Sequence, residues 1–198
     1  MISYHFYIKY FKKYPKYNKI YIAGHSQGSL VGMVAAQDLA DGFISIAGAG
    51  QAIDEVIIHQ IENTAPSLAE SAKETLKQMR KGKIAKDYNP QLETLFRISL
   101  QPFMISWMKY NPADEIKKLT IPVLIVNGDK DLQVPVSEAE SLKANKPDAT
   151  LKIIKDMNHV LKHIDGEGKF DTNATSYTNP TIPLSDELIT VLLDFIKQ

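Results

Sequence analysis

The pentapeptide Gly24-His25-Ser26-Gln27-Gly28 lies between an apolar tetrapeptide, Ile20-Tyr21-Ile22-Ala23, and a stretch of small and apolar residues reaching about Ala40. A serine so placed can act as a nucleophile. A strand that turns sharply into a helix tolerates no bulk at Gly24 or Gly28 and lifts the Ser26 oxygen above the sheet, where it can attack a carbonyl carbon. The Gly-x-Ser-x-Gly spacing says little by itself, because both residue types are common. The apolar strand before it and the helical pattern after it turn the match into a mechanism. His25, although next to the serine, is expected to point away from the hydroxyl and to be structural.

A serine hydroxyl is a weak nucleophile and needs a histidine within hydrogen-bond reach, itself held in the right tautomer by an acid. The run Val123-Leu124-Ile125-Val126 leads into Asn127-Gly128-Asp129-Lys130-Asp131-Leu132-Gln133-Val134-Pro135, which brings two competing carboxylates, Asp129 and Asp131, to the C-terminal end of a strand. In open α/β sheets, reacting groups gather at that end. Leu151 to Ile154 leads in the same way into Asp156-Met157-Asn158-His159-Val160, so His159 is the proposed base, with His163 as its rival. His5 and His59 read as surface or locally bonded histidines. Asp129-Lys130-Asp131 opens like a calcium loop, but Val134 stands where such a loop needs glycine and no suitably spaced Glu follows. Ala47-Gly48-Ala49-Gly50-Gln51-Ala52-Ile53 opens like a dinucleotide fingerprint, but Ile53 puts bulk at the third small position. Neither a metal nor an organic cofactor is expected.

The elements that must carry these residues read as an alternating α/β chain. Ile20–Ala23, Phe43–Ala47, Ile121–Val126 and Leu151–Ile154 are predicted strands, nearly uniformly apolar where both faces are covered. Helices are predicted over 27 to about 40, around Ser137–Ala144 and over Leu184–Ile196, so the sheet is mostly parallel. Tyr7, Tyr10, Phe11 and Tyr14, with lysines between them, mark an amphipathic helix over residues 4–14 that ends before Pro15. Residues 48–120 are too long for a simple crossover and are broken at Pro66, Pro90, Pro102 and Pro112. That stretch is read as a helical cap inserted into a core made of residues 1–47 and 121–198. Leu95, Phe96, Phe103, Met104, Ile105, Trp107 and Met108 are its candidate acyl-pocket residues. The polar stretch Asp165–Pro180 reads as a surface loop with no special role.

Composition narrows the partners. In 198 residues, 23 Lys plus Arg balance 23 Asp plus Glu, so no global field attracts nucleic acid or an anionic membrane. Small uncharged substrates fit best. The absence of cysteine excludes disulfides, thiolate metal sites and a cysteine nucleophile. No window approaches the ~20 apolar residues of a membrane span, and the start as written carries no run of signal-peptide length, so a cytoplasmic location is expected.

The ordered set Gly24 to Gly28, Gly128 to Pro135 and Asn158-His159 resembles the α/β-hydrolase superfamily, in particular its capped esterases and its lysophospholipase-like or serine-aminopeptidase-like hydrolases. The resemblance runs over nearly the whole chain. It implies the order serine, acid, histidine, and its Gly-x-x-Asp-x-x-Val-Pro pattern assigns the acid to Asp131, leaving Asp129 to brace the turn. It implies acyl transfer on a small carboxylic ester, with Ser26 as nucleophile, His159 as base and Asp131 orienting His159. In this fold the elbow follows about the fifth strand, and a second oxyanion donor comes from the loop after the third. Only 25 residues precede Ser26, which leaves the Gln27 backbone N–H as the identifiable donor. The expectation is therefore a C-terminal part of the fold, weak or inactive as an alternative to an active esterase, that self-associates through an exposed Ile20–Ala23 edge.

Overall fold

The computed structural model describes residues 10, 13, 16–37, 40–164 and 175–198. Apart from residues 10 and 13, the helix anticipated over 4–14 lies outside these, as do residues 165–174 of the polar stretch. The chain divides into two compact units, one holding the sheet up to Gly50 and again from Pro112, the other formed by Gln51–Asn111.

The sheet unit contains four parallel strands in the order β1 (Tyr21–His25), β2 (Gly42–Ile46), β3 (Val123–Gly128) and β4 (Thr150–Ile154). Every residue of β2 and β3 is buried, as their nearly uniformly apolar sequences, interrupted only by Ser45 and Asn127, require of strands covered on both faces. Side chains alternate across the sheet. Phe43, Val123 and Ile125 pack with Met33 of α1 (Gln27–Ala36), Ile116 of α2 (Pro112–Lys117) and Leu142 of α3 (Val136–Asn145). On the other face, Ile44, Ile46, Leu124 and Val126 pack with Leu188 and Phe195 of α4 (Asp186–Ile196). Each large apolar side chain removed from water in this way stabilises the fold by about 1.5–3 kcal/mol.

Helix α1 stops at Ala36, short of the Ala40 that its composition suggests, because Gln37 turns extended (ψ 124°) and its side-chain amide donates to Glu115 (2.9 Å). The sheet unit resumes at Pro112, whereas the sequence places the boundary near 120. Ile116 and Leu119 are the reason, since both are fully buried in the sheet's own core. Part of the polar stretch also departs from the surface-loop reading: residues 175–178 form one helical turn and Ser176 is completely buried.

The other unit is helical, with α5 (Ile53–Thr64), α6 (Ala69–Arg80), α7 (Glu93–Phe96) and α8 (Gln101–Trp107) around a core that includes Ile61, Leu76, Met79, Phe96 and Met104. Its prolines open helices rather than merely ending them. Pro66 and Pro90 each start a 3-10 turn and Pro102 stands in the first turn of α8, positions where a missing N–H costs no helical bond. Gln101, fully buried, bridges Ala85 and Phe96 through their backbones, and Arg80 is paired with Asp54. Among the described residues, no helix is long and apolar enough to cross a membrane.

Candidate active site

The C-terminal ends of β1, β3 and β4 bring together the three side chains singled out in the sequence. At the end of β1, the Ser26 N–H continues the ladder to Ile46 O (2.9 Å), after which the backbone reverses at φ 55°, ψ −124° and Ser26 O receives the Ser29 N–H (2.9 Å). That left-handed conformation is costly for a residue with a Cβ. Gly24 is indispensable to the turn, since a Cβ there would lie 2.1 Å from Gly28 O. Gly28 is different. A Cβ at Gly28 meets nothing within 4 Å and its φ is not positive, so the expectation that position 28 excludes bulk is corrected for the described structure.

Beyond β3 the chain bends around Asp131. One carboxylate oxygen accepts the backbone N–H groups of Gln133 and Val134 (both 2.8 Å), and the other faces His159 Nδ1 at 2.8 Å. His159 Nε2 lies 3.1 Å from Ser26 Oγ. The Asp131 side chain is wholly buried and that of His159 is 7% exposed. An acceptor-only carboxylate on Nδ1 selects the tautomer with its proton there, leaving Nε2 to accept from the serine hydroxyl. Asp129 instead accepts the Asp156 N–H (2.6 Å) and so joins the two loops. Gly128 permits that junction: a Cβ there would stand 1.9 Å from Met157 O.

The other candidates fall elsewhere. His163 is exposed and forms an isolated β-bridge with Met157, His59 is exposed on α5 of the helical unit, and His5 lies outside the described residues. His25 does avoid the serine hydroxyl. Its Nε2 donates to the backbone carbonyl of His159 (2.8 Å), with the two rings 4.9 Å apart. The Gln27 N–H stands at the first position of α1, at the positive end of the helix dipole.

Several supporting residues are given no role by the sequence alone. Asn127, fully buried, donates its side-chain amide to Val134 O (3.0 Å) and shapes the acid loop from beneath. Asn158 donates to Ser176 Oγ (2.6 Å), and Tyr177 pairs with Gln133. Burial, then the nearby charge of Asp131, pushes the Tyr177 phenol above its ordinary range, against a lowering by its bond to Gln133. The apolar strands announced where the loops begin, but nothing local marks a serine seventeen residues beyond His159 as its neighbour's partner.

The Gly48-x-Gly50 pair is packed against the protein's own side chains: a Cβ at Gly48 would meet Ser29 Oγ at 2.3 Å, and the Gly50 N–H is taken by Glu138 (2.7 Å). Among the described residues, no three His, Cys, Asp or Glu side chains are grouped so as to hold a metal ion.

A parallel sheet, a strained serine at a strand-to-helix turn, and the chain order serine, aspartate, histidine at one end of that sheet define the α/β-hydrolase fold. No family model matches the chain. Over 167 residues it is 30% identical to Esterase EstD of Thermotoga maritima, an alignment that takes in 82% of this chain and 39% of that protein. The chain thus spans about two-fifths of the curated relative it matches. Among solved structures, it is similar to Est1E from Butyrivibrio proteoclasticus (22% identity, TM-score 0.49, 86% of this chain and 64% of that one). It is also similar to the Paleococcus ferrophilus monoacylglycerol lipase (17% identity, TM-score 0.47, 86% and 69%).

Proposed function

We propose that this chain is a serine hydrolase that cleaves small carboxylic esters through an acyl-enzyme on Ser26. The observation that carries the reading is the continuous relay from Asp131 to His159 (2.8 Å) to Ser26 Oγ (3.1 Å). Similarity to an esterase agrees with it. Ser26 Oγ attacks the ester carbonyl carbon while its proton passes to His159 Nε2, and Asp131 stabilises the imidazolium. The carbonyl oxygen becomes an oxyanion facing the Gln27 N–H. Collapse breaks the C–O bond of the leaving alcohol, which takes the proton from His159. Water then attacks the acyl-enzyme, giving its proton to His159, and release of the carboxylic acid returns the proton to Ser26.

Hydrolysis of a short-chain p-nitrophenyl ester tests this. Asp131→Asn should lower kcat by roughly 10⁴-fold, because the wrong imidazole tautomer is favoured, and Ser26→Ala should leave only the uncatalysed background. Ser26→Ala hydrolysing as fast as the parent would end the proposal.

A second reading is a weakly active or silent hydrolase-like chain, for which the Gln27 N–H is the one oxyanion donor identified among the described residues. Removing one of two such donors costs ~10²–10³-fold in rate. Turnover at the level typical of enzymes, about 10 s⁻¹, would exclude it.

A further inference from the structure

We propose that residues 175–179 form a strap that sets the position of the His159 base, with Asn158, Lys162 and Ser176 as positioning residues. The inference rests on the hydrolase reading of the same site. His159 sits in a loop that contains two non-glycine residues with positive φ, Asp156 (56°) and Leu161 (66°), a conformation such a loop holds only if its surroundings over-determine it. The surroundings do so through Asn158, the residue immediately before the base. Asn158 is fully buried and uses its backbone and both ends of its amide: its N–H donates to Lys162 O (3.0 Å), its Oδ1 accepts the Lys162 N–H (3.0 Å), and its Nδ2 donates to Ser176 Oγ (2.6 Å). Ser176 is also fully buried, so neither group can exchange its partner for water without opening the loop.

The Lys162 side chain closes the clamp from the other side. Its ammonium donates to Ser176 O (2.7 Å) and Asn179 O (2.6 Å), carbonyls at the end of the helical turn 175–178, where a cation is favoured. The same turn reaches the acid loop, where the Gln133 amide donates to the Tyr177 hydroxyl. One short segment therefore touches the loop of the acid and the loop of the base. What it positions is His159 relative to Ser26. The ring's own bonds fix its tilt on Asp131, but the 3.1 Å reach to Ser26 depends on where the backbone places it, and such constellations tolerate about 0.5 Å.

Ser176→Ala removes the hydroxyl that holds Asn158, while Asp131, His159, Ser26 and His25 keep their chemistry. In the full chain with a short-chain p-nitrophenyl ester, kcat should fall roughly 10- to 100-fold, the effect of misplacing a reacting group by up to 1 Å, with KM changed by less than about twofold. Ser176→Thr, which keeps the hydroxyl, should recover most of the loss. Independently of turnover, the downfield NMR resonance of the His159 Nδ1 proton should shift or broaden in Ser176→Ala and not in Ser176→Thr. A folded Ser176→Ala protein with the parent's kcat and an unmoved resonance overturns the proposal, as does a loss confined to KM. If Ser176→Ala does not fold, Lys162→Met at a half-buried position carries the same expectations and the same contrary outcomes. If the parent shows no Ser26-dependent hydrolysis, the hydrolase reading fails, while the resonance in Ser176→Ala still decides the strap.

Discussion

Ser26 stores strain in its backbone whatever its hydroxyl does. At φ 55°, ψ −124°, a residue with a Cβ pays roughly 1–3 kcal/mol that glycine avoids. Two variants that lack the hydroxyl should therefore differ in stability: Ser26→Gly should be more stable than Ser26→Ala by about 1 kcal/mol, once the greater unfolded-state freedom of glycine is set against the relieved strain. Chemical denaturation of the pair measures the difference, and equal midpoints would mean the turn is not strained. Tyr177 gives a second test at this scale. Its pKa is raised by burial and by Asp131, so the folded state favours the neutral phenol. That contribution is fully present below the ordinary tyrosine range and is lost as the pH rises through the higher folded value. Phenolate absorbance should show Tyr177 ionising late, together with Tyr88, whose bond to Glu93 raises it too, and Tyr177→Phe should remove one late-titrating group. An unchanged late phase in that variant would contradict the assignment.

At the scale of elements, the elbow separates what a motif requires from what this chain requires. Gly24 must lack a side chain because Gly28 O stands in the way, and Gly24→Ala should unfold the turn, with loss of both activity and stability. Gly28 opens no such conflict. It lies inside α1, where alanine is the better helix former by about 0.8–1 kcal/mol, so Gly28→Ala should keep the fold and melt slightly higher. A clear drop in Tm for Gly28→Ala would count against this. The contrast also shows what the sequence could reveal. Strands β2 and β3 were legible because burial on both faces writes itself as a nearly uniform apolar run, and the loops after β3 and β4 could then be located, with Asp131 and His159 in them. The end of α1 was not legible, because it depends on Gln37 meeting Glu115 from a distant helix. Nor was Ser176: a polar stretch reads as a loop, and only the folded chain brings that hydroxyl under Asn158.

For the whole molecule, charge and sheet edges act together. Strand β1 pairs with β2 alone among the described residues, and its sequence Tyr21-Ile22-Ala23-Gly24-His25 carries none of the lysine, glutamate or proline that usually discourages edge pairing. The opposite edge, β4, does carry an exposed lysine, Lys152. With 23 basic and 23 acidic residues the chain also lacks the net charge that would keep copies apart at neutral pH. Self-association through β1 is the expected result, strongest near neutrality and weaker as the pH departs from it in either direction. Ile22 packs toward the sheet's core, whereas Ala23 is exposed, so Ala23→Lys places a charge on the edge without removing an interior side chain. Light scattering over a range of concentrations should show association for the parent chain and a marked reduction for Ala23→Lys. A parent protein that stays monomeric at every concentration would show that this edge is covered within a single chain, and an Ala23→Lys protein that associates as strongly as the parent would move the contact to another surface.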